Sequence, residues 1–293
     1  MVAGQVLPSC CKRPGPSPNL NHRLHGPRPR AAERDERSRH TCARSRLLTA
    51  FRQDLSVPIR NGLLAALPPE DLARLRPNLS AVELRFEETL TPAGGEVDAV
   101  LFPESGMVSL LATLEDDGQV EVGIVGREGL IGLPLVLDDD RSLVEAKVQQ
   151  EGTALRLDAA ALRDGMGESA ALRALLLRYA MAFNTQVSLT AACNTFHIVE
   201  QRLARWLLTA HDRADGDEFP MTHDFLSAML GVRRPALSVA AGVLQKAGLI
   251  RYARGQMEIT DRPGLEAASC ECYHVARREF ARLLGTGGAV RRG

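Results

Sequence analysis

Arg233, Arg234 and Pro235 follow a glycine that divides two short amphipathic segments within residues 221–250, MTHDFLSAMLGVRRPALSVAAGVLQKAGLI. Thr222 has the side chain of a helix N-cap, and Phe225, Leu226, Met229 and Leu230 follow at helical spacing. Gly231 suits the left-handed residue that ends a helix. Pro235 suits the first turn of the next helix, where its missing N–H has no intrahelical partner to lose. That second helix buries Leu237, Ala241 and Leu244 and stops at Gly248. A helix, a glycine turn and a second helix with guanidinium groups at its start can place those groups against phosphates and guanine edges in a DNA major groove. Residues 249–252 and 257–259 read as a two-stranded wing, with Arg254 at its tip within reach of phosphate. The plainer alternative is a helical hairpin with two surface arginines.

Other chemistry-bearing residues point to less. Cys270, Cys272 and His274 form a C-x-C-x-H run. On a helix, positions i and i+2 face different ways, so no shared metal is expected there. His211 and His223 show no partners in sequence, and no metal site is expected from them either. Cys10, Cys11 and Cys42 lie near the N-terminus, and the strand-rich region carries no cysteine, so no iron–sulfur cluster is expected. Residues 81–157 also lack histidine, which excludes cupin-type metal enzymes. There is no G-x-S-x-G, P-loop or H-E-x-x-H motif, and no enzyme is expected.

The net charge of zero conceals segregation. Residues 1–50 carry 10 basic and 3 acidic side chains, residues 51–196 carry 12 and 22, and residues 197–293 carry 14 and 11. A basic tail, an acidic middle and a basic end imply different tasks, with nucleic acid at the basic end. The tail, 1–46, is Pro- and Arg-rich without apolar periodicity and reads as disordered. It lacks the apolar core of a secretory signal, so a cytoplasmic setting is expected. Polar residues from Asn184 to Thr195 exclude a membrane span in the longest uncharged stretch.

Residues 63–75 suggest two short helices broken at Pro68-Pro69. Val82, Leu84 and Phe86 alternate with charged residues as in a half-buried strand. Further strands are predicted over 99–102, 107–114, 120–125, 144–148 and 154–157. Between them stand turn residues, including Asp117-Gly118, a hairpin signal. Regularly spaced short strands imply a barrel or jelly roll. Asp158 is the expected N-cap of the helical region that follows. Residues 168–195 form one long predicted helix. Leu172, Leu176, Tyr179 and Phe183 repeat in steps of four and three, with Gln186, Thr190 and Cys193 continuing the seam. This is coiled-coil spacing and predicts a dimer contact, the alternative being packing on the chain's own barrel.

Acidic roll, long helix and winged helix-turn-helix, in this order, resemble the Crp/Fnr family of cyclic-AMP-receptor-like transcription regulators. The resemblance covers about residues 55–266. It is carried by VEQRLARWL at Val199–Leu207, by Leu230-Gly231-Val232-Arg233-Arg234 and by Gly248-Leu249-Ile250. It implies phosphate contacts from Thr222, His223 and Arg254, and a DNA-facing Arg234 and Ser238. Pro235 stands where the best-known members carry a base-reading Glu, and Val239 where they carry an Arg. Guanine readout therefore falls to Arg234 and Arg233, and Val239 is free to meet a thymine methyl. The resemblance also implies a ligand pocket at Gly129, Gly132, Arg141 and Ser142. The ribose-holding Glu of cyclic-nucleotide-binding members is absent, replaced by Leu133-Pro134, which speaks against a cyclic nucleotide.

The expected architecture is thus α+β. A disordered tail (1–46) precedes a cyclic-nucleotide-binding-like β-roll (47–166), and a dimerisation helix with hinge (167–196) comes next. A winged helix-turn-helix (197–266) and a C-terminal helix and tail (267–293) complete it. The expected function is a homodimeric regulator that reads an inverted repeat of double-stranded DNA, with RNA polymerase as a further partner, no certain cofactor, and a roll that either senses another small ligand or serves as a scaffold. The alternative is a sensor module whose winged domain contacts protein. The expected pivot lies near Asn194–Phe196.

Overall fold

A computed structural model describes residues 50–51, 58–114 and 118–285 of the chain. All of them belong to one compact unit, Leu47–Gly293. The expected basic tail, Cys10, Cys11, Cys42 and Asp117 of the hairpin signal lie outside the described residues.

The first half contains β1 (Ala50–Phe51), α1 (Gly62–Ala65), α2 (Pro69–Leu75), β2 (Ser80–Leu84), β3 (Thr89–Thr91), β4 (Gly95–Glu96), β5 (Ala99–Pro103), β6 (Met107–Thr113), β7 (Gln119–Val125), α3 (Leu133–Val136), β8 (Arg141–Ser142), β9 (Glu145–Gln150) and β10 (Gly152–Asp158). Two antiparallel four-stranded sheets, ordered β1-β2-β10-β5 and β3-β9-β6-β7, make a roll, and β4 pairs with β8 as a separate ribbon. Both sheets send side chains into one core, among them Val82, Leu84, Phe102, Val108, Val148 and Leu157. The alternation predicted at 82–86 ends early. The strand stops at Leu84, and Phe86 is 57% exposed in the following turn.

Helix α4 (Ala159–Glu168) follows the roll. Asp158 occupies its N-cap position, but no side-chain cap bond forms, because Arg156 engages the carboxylate instead. Ser169 then caps α5 (Ala170–Phe196), accepting a hydrogen bond from the Leu172 amide at 3.0 Å. The long helix is as expected, but its seam is not. Leu172, Leu176, Tyr179, Phe183, Gln186 and Thr190 are all buried within the chain itself. The Tyr179 hydroxyl donates to the Leu130 carbonyl at 3.1 Å, and the Gln186 amide donates to the Ile124 carbonyl at 3.1 Å. The stripe therefore closes the chain's own roll. Apolar spacing reports that a face is covered, and not by what. The outward face of α5 carries Leu177 and Met181, 46% and 55% exposed.

The second half contains α6 (Val199–His211), β11 (Glu218–Pro220), α7 (His223–Leu230), α8 (Arg234–Lys246), β12 (Ile250–Ala253), β13 (Gln256–Ile259), α9 (Arg262–Ala268) and α10 (Glu271–Leu284). The wing has three strands rather than two. Its order is β11-β13-β12, with Phe219 of β11 paired to Met257. Trp206, Leu226, Leu237, Leu244 and Met257 share the core of this half. Helix α10 returns to pack along α5.

Candidate nucleic-acid interface and roll pocket

Local chemistry builds the helix-turn-helix. The Thr222 hydroxyl accepts from the Phe225 amide at 3.2 Å and caps α7. Gly231 follows with φ of 59°, in the left-handed region. A Cβ there would meet its nearest neighbour, Cγ2 of Val120, at an ordinary 3.4 Å. Gly231→Ala therefore tests the backbone alone, and the expected cost is about 1–2 kcal/mol. Chemical denaturation would measure it, and a loss below a few tenths would contradict the assignment of a strained turn. Arg233 precedes α8 as its N-cap residue, and Pro235 sits in the first turn as predicted.

Arg233, Arg234, Ser238 and Val239 are grouped on the first two turns of α8, with Val239 64% exposed. One Arg234 amino group lies 3.0 Å from a carboxylate oxygen of Asp224, both side chains being open to solvent. His223 stacks on Tyr252 of the wing, with ring centroids 4.3 Å apart and 14° between planes. Its Nδ1 lies 3.2 Å from the Ser238 hydroxyl. Burial, together with the neighbouring Arg234 charge and against that of Asp224, lowers the His223 pKa, which favours the neutral ring. His223 and Ser238 thus meet at one edge of the recognition helix, next in sequence to the Thr222 cap. Arg254 and Gly255 form the two-residue turn of the wing with φ of 53° and 78°, closed by the pair Ala253–Gln256. This geometry holds Arg254 outward at the wing tip, where the sequence placed it.

The roll contains a cavity of about 390 Å³, lined mainly by apolar side chains such as Leu110, Leu133, Leu143 and Phe183. Three of the four expected pocket residues, Gly132, Arg141 and Ser142, line it. Gly129 does not. A Cβ on Gly129 would lie 2.4 Å from the Tyr179 hydroxyl, so this glycine makes room for the α5 ring rather than for a ligand. The Ser142 hydroxyl donates to the Val144 carbonyl at 2.8 Å, and Asp139 at the mouth accepts the Arg141 amide at 3.0 Å.

Two of the contacts that connect the roll to the second half among the described residues are buried polar pairs that were not legible in sequence. Trp206 Nε1 of α6 donates to the buried Glu121 carboxylate of β7 at 2.7 Å. Arg213, just beyond α6, pairs with Glu128 at 2.6 Å, and both side chains are 9% exposed.

Two family models match the chain. A cyclic nucleotide-binding domain matches residues 81–169, and a Crp-like helix-turn-helix domain matches residues 201–268. Together they span more than half of the sequence, including the helix-turn-helix residues and Gly132, Arg141 and Ser142 of the cavity. The chain belongs to the Crp/Fnr family. FixK2 from Bradyrhizobium japonicum shares 15% identity and a TM-score of 0.58, over 66% of this chain and 98% of that one. TTHB099, a CRP-family transcriptional regulator from Thermus thermophilus, shares 19% identity and a TM-score of 0.55, over 64% and 95%. At such identities these likenesses establish the fold. No curated protein matches the chain. Members of the Crp/Fnr family are transcription regulators, and neither matched domain is catalytic. No helix among the described residues is long and apolar enough to cross a membrane.

Proposed function

We propose that this Crp/Fnr-family chain is a homodimeric, sequence-specific DNA-binding regulator that inserts α8 into the major groove. The observation that carries this reading is the cluster of Arg233, Arg234, Ser238 and Val239 at the start of α8, flanked by Thr222, His223 and the wing arginine Arg254. Arg234 reads guanine, held in register by Asp224, and Val239 offers a methyl contact to thymine. Thr222, His223 and Arg254 meet phosphates. Two copies meet through the outward face of α5, around Leu177 and Met181, and read half-sites about 34–36 Å apart. The protein works in the cytoplasm, with RNA polymerase as its further partner.

The residues of the roll pocket do not suit a cyclic nucleotide. Leu133 stands where a ribose-binding carboxylate is needed, the Ser142 hydroxyl is committed to the Val144 carbonyl, and the lining is apolar. A ribose hydroxyl buried there without a partner would lose about 1–3 kcal/mol. The roll is therefore read as a sensor for a different, more apolar ligand or as a scaffold.

The test is selection of random duplex DNA on the full-length protein, followed by binding to the enriched site. An inverted repeat is expected. Arg234→Ala should weaken binding to it roughly 5- to 150-fold, the equivalent of about 1–3 kcal/mol, and log affinity should fall steeply with log salt. If the variant binds the selected site as tightly as the parent, the recognition role of Arg234 is wrong. If no sequence is enriched with or without added cyclic nucleotides, the winged domain is better read as a protein-contacting module.

A further inference from the structure

The end of α5 and the start of α10 bring together four side chains that lie up to 79 residues apart in sequence. Cys193 sits in the last turn of α5, and His197 is its C-cap residue. Cys270 is the N-cap residue of α10, and Cys272 lies in its first turn. All three thiols are buried and free of disulfides. The Cys193 and Cys270 sulfurs are 3.5 Å apart, and the Cys272 sulfur is 3.8 Å from Nδ1 of His197. All four ligand atoms lie within 4.8 Å of one another.

These distances are informative. A tetrahedral zinc ion has Zn–S bonds of about 2.3 Å and Zn–N bonds of about 2.0–2.1 Å, so its ligand atoms stand roughly 3.5–3.8 Å apart. The Cys193–Cys270 and Cys272–His197 separations fall in that range, and the widest requires only a small contraction. The cluster admits one ion and is too tight to enclose a multi-iron cluster. A disulfide would need sulfurs at about 2.05 Å, well inside the observed 3.5 Å. The surroundings also suit a metal. Nε2 of His197 lies 3.2 Å from the Glu271 carboxylate, leaving Nδ1 turned to the thiols. A carboxylate on the distal imidazole nitrogen is the usual arrangement that orients a zinc-bound histidine. Three thiolates and a divalent ion would leave one net negative charge, and the Arg205 guanidinium beside Cys193 offsets it.

We propose that Cys193, His197, Cys270 and Cys272 bind a single thiophilic divalent ion of the zinc class. The ion ties the C-terminal end of the long helix to α10 across the segment Asn194–Phe196, where the chain leaves α5 for the DNA-binding half. Its role is structural, because four protein ligands close the tetrahedron and leave no position for substrate. The sequence led to the expectation that Cys270 and Cys272 share no metal, and this proposal departs from it. Cys270 has extended backbone (φ −81°, ψ 163°), so the helical rule for i and i+2 does not apply to it. The fourth ligand is His197 rather than His274.

The test uses the full-length chain, purified under reducing conditions. Elemental analysis is expected to find about one zinc per chain, released when the thiols are blocked with an organomercurial. Replacement by cobalt(II) should give the visible ligand-field bands and near-ultraviolet thiolate charge transfer of a tetrahedral site with three sulfur ligands and one nitrogen, saturating at one equivalent. Cys272→Ser and His197→Ala should each abolish or strongly shift those bands, and His274→Ala should leave them unchanged. If a ligand variant does not fold, the cobalt titration of the parent protein still decides, since it either saturates at one equivalent with tetrahedral bands or does not. Absence of stoichiometric metal together with absence of such bands would overturn the proposal. So would bands that persist unchanged in folded Cys272→Ser and His197→Ala, or a Cys193–Cys270 disulfide in metal-free protein taken directly from cells. None of these readouts depends on DNA binding, so this site and the regulator reading fail or stand separately.

Discussion

Replacing Arg262 with alanine is expected to destabilise the DNA-binding half by about 3–5 kcal/mol. Arg262 opens α9 with its side chain 14% exposed, and its guanidinium reaches four partners. It lies 2.6 Å from Asp212 and 3.0 Å from Glu266, donates to the Tyr273 hydroxyl at 2.6 Å, and donates to Nδ1 of His211 at 2.8 Å. Because a guanidinium can only donate, Nδ1 of His211 is the acceptor from Arg262, and its Nε2 faces Asp217 at 2.8 Å. Tyr273 closes the network by donating to Asp212 at 3.0 Å. The net benefit of such a buried pair over an apolar replacement is small, but removing one member strands the other. Without Arg262, the buried Asp212 carboxylate keeps only Tyr273 among the described residues, and His211 loses the donor to its Nδ1. Arg262→Lys should recover only part of the loss, since an ammonium cannot reproduce the planar fork. Urea denaturation should show a lower midpoint with unchanged slope. A loss below about 1 kcal/mol would mean that water replaces the guanidinium and that the network is not closed.

Between pH 5 and pH 8 the parent protein is expected to lose stability through Glu121, and Glu121→Gln should remove that loss. The Glu121 carboxyl is buried between the roll and α6, accepting from Trp206 Nε1 and bonded to the Ser109 hydroxyl. Burial raises its pKa from the ordinary 4.5 to about 7, and the Ser109 and Trp206 hydrogen bonds and the Arg205 and Arg213 charges offset this only in part. The folded state therefore holds a proton that the unfolded state releases. Stability from this group is greatest below about pH 4.5 and falls as pH rises towards 7, by an amount on the order of 3 kcal/mol. A glutamine keeps an acceptor for Trp206 and supplies a donor to Ser109 without a titrating charge. The stability difference between Glu121→Gln and the parent should be small at pH 5 and should favour the variant at pH 8. Trp206 is the chain's single tryptophan, so its fluorescence reports this joint directly. A difference independent of pH across this interval would refute the assignment.

Much of the DNA-binding half was legible because it rests on short-range chemistry. The Thr222 cap, the left-handed Gly231, Pro235 in a first turn and the Arg254-Gly255 turn each depend on a few consecutive residues. The wing's third strand was missed, since Glu218–Pro220 is too short for alternation to register and acquires its identity only by pairing with β13. In the roll, the strand pattern was visible but its interior was not. Gly129 looked like part of a ligand loop, and only the approach of Tyr179 from α5 shows why it lacks a side chain.

The sequence by itself determined the order of roll, long helix and winged helix-turn-helix, together with the arginines at the start of the recognition helix, because periodicity, caps and turns are written in neighbouring residues. Only the tertiary structure decided which body covers each apolar stripe and which distant polar groups meet. The heptad-like face of α5 closes the chain's own roll, as the same spacing serves either a partner helix or a sheet. Glu121 reaches Trp206 across 85 residues, Arg262 reaches Asp212 across 50, and Cys193 reaches Cys270 across 77. Spacing within one element predicts which residues share a face. It carries no information on which two faces the fold will press together, and at these positions that pairing sets the charge, the proton affinity and the proposed metal site.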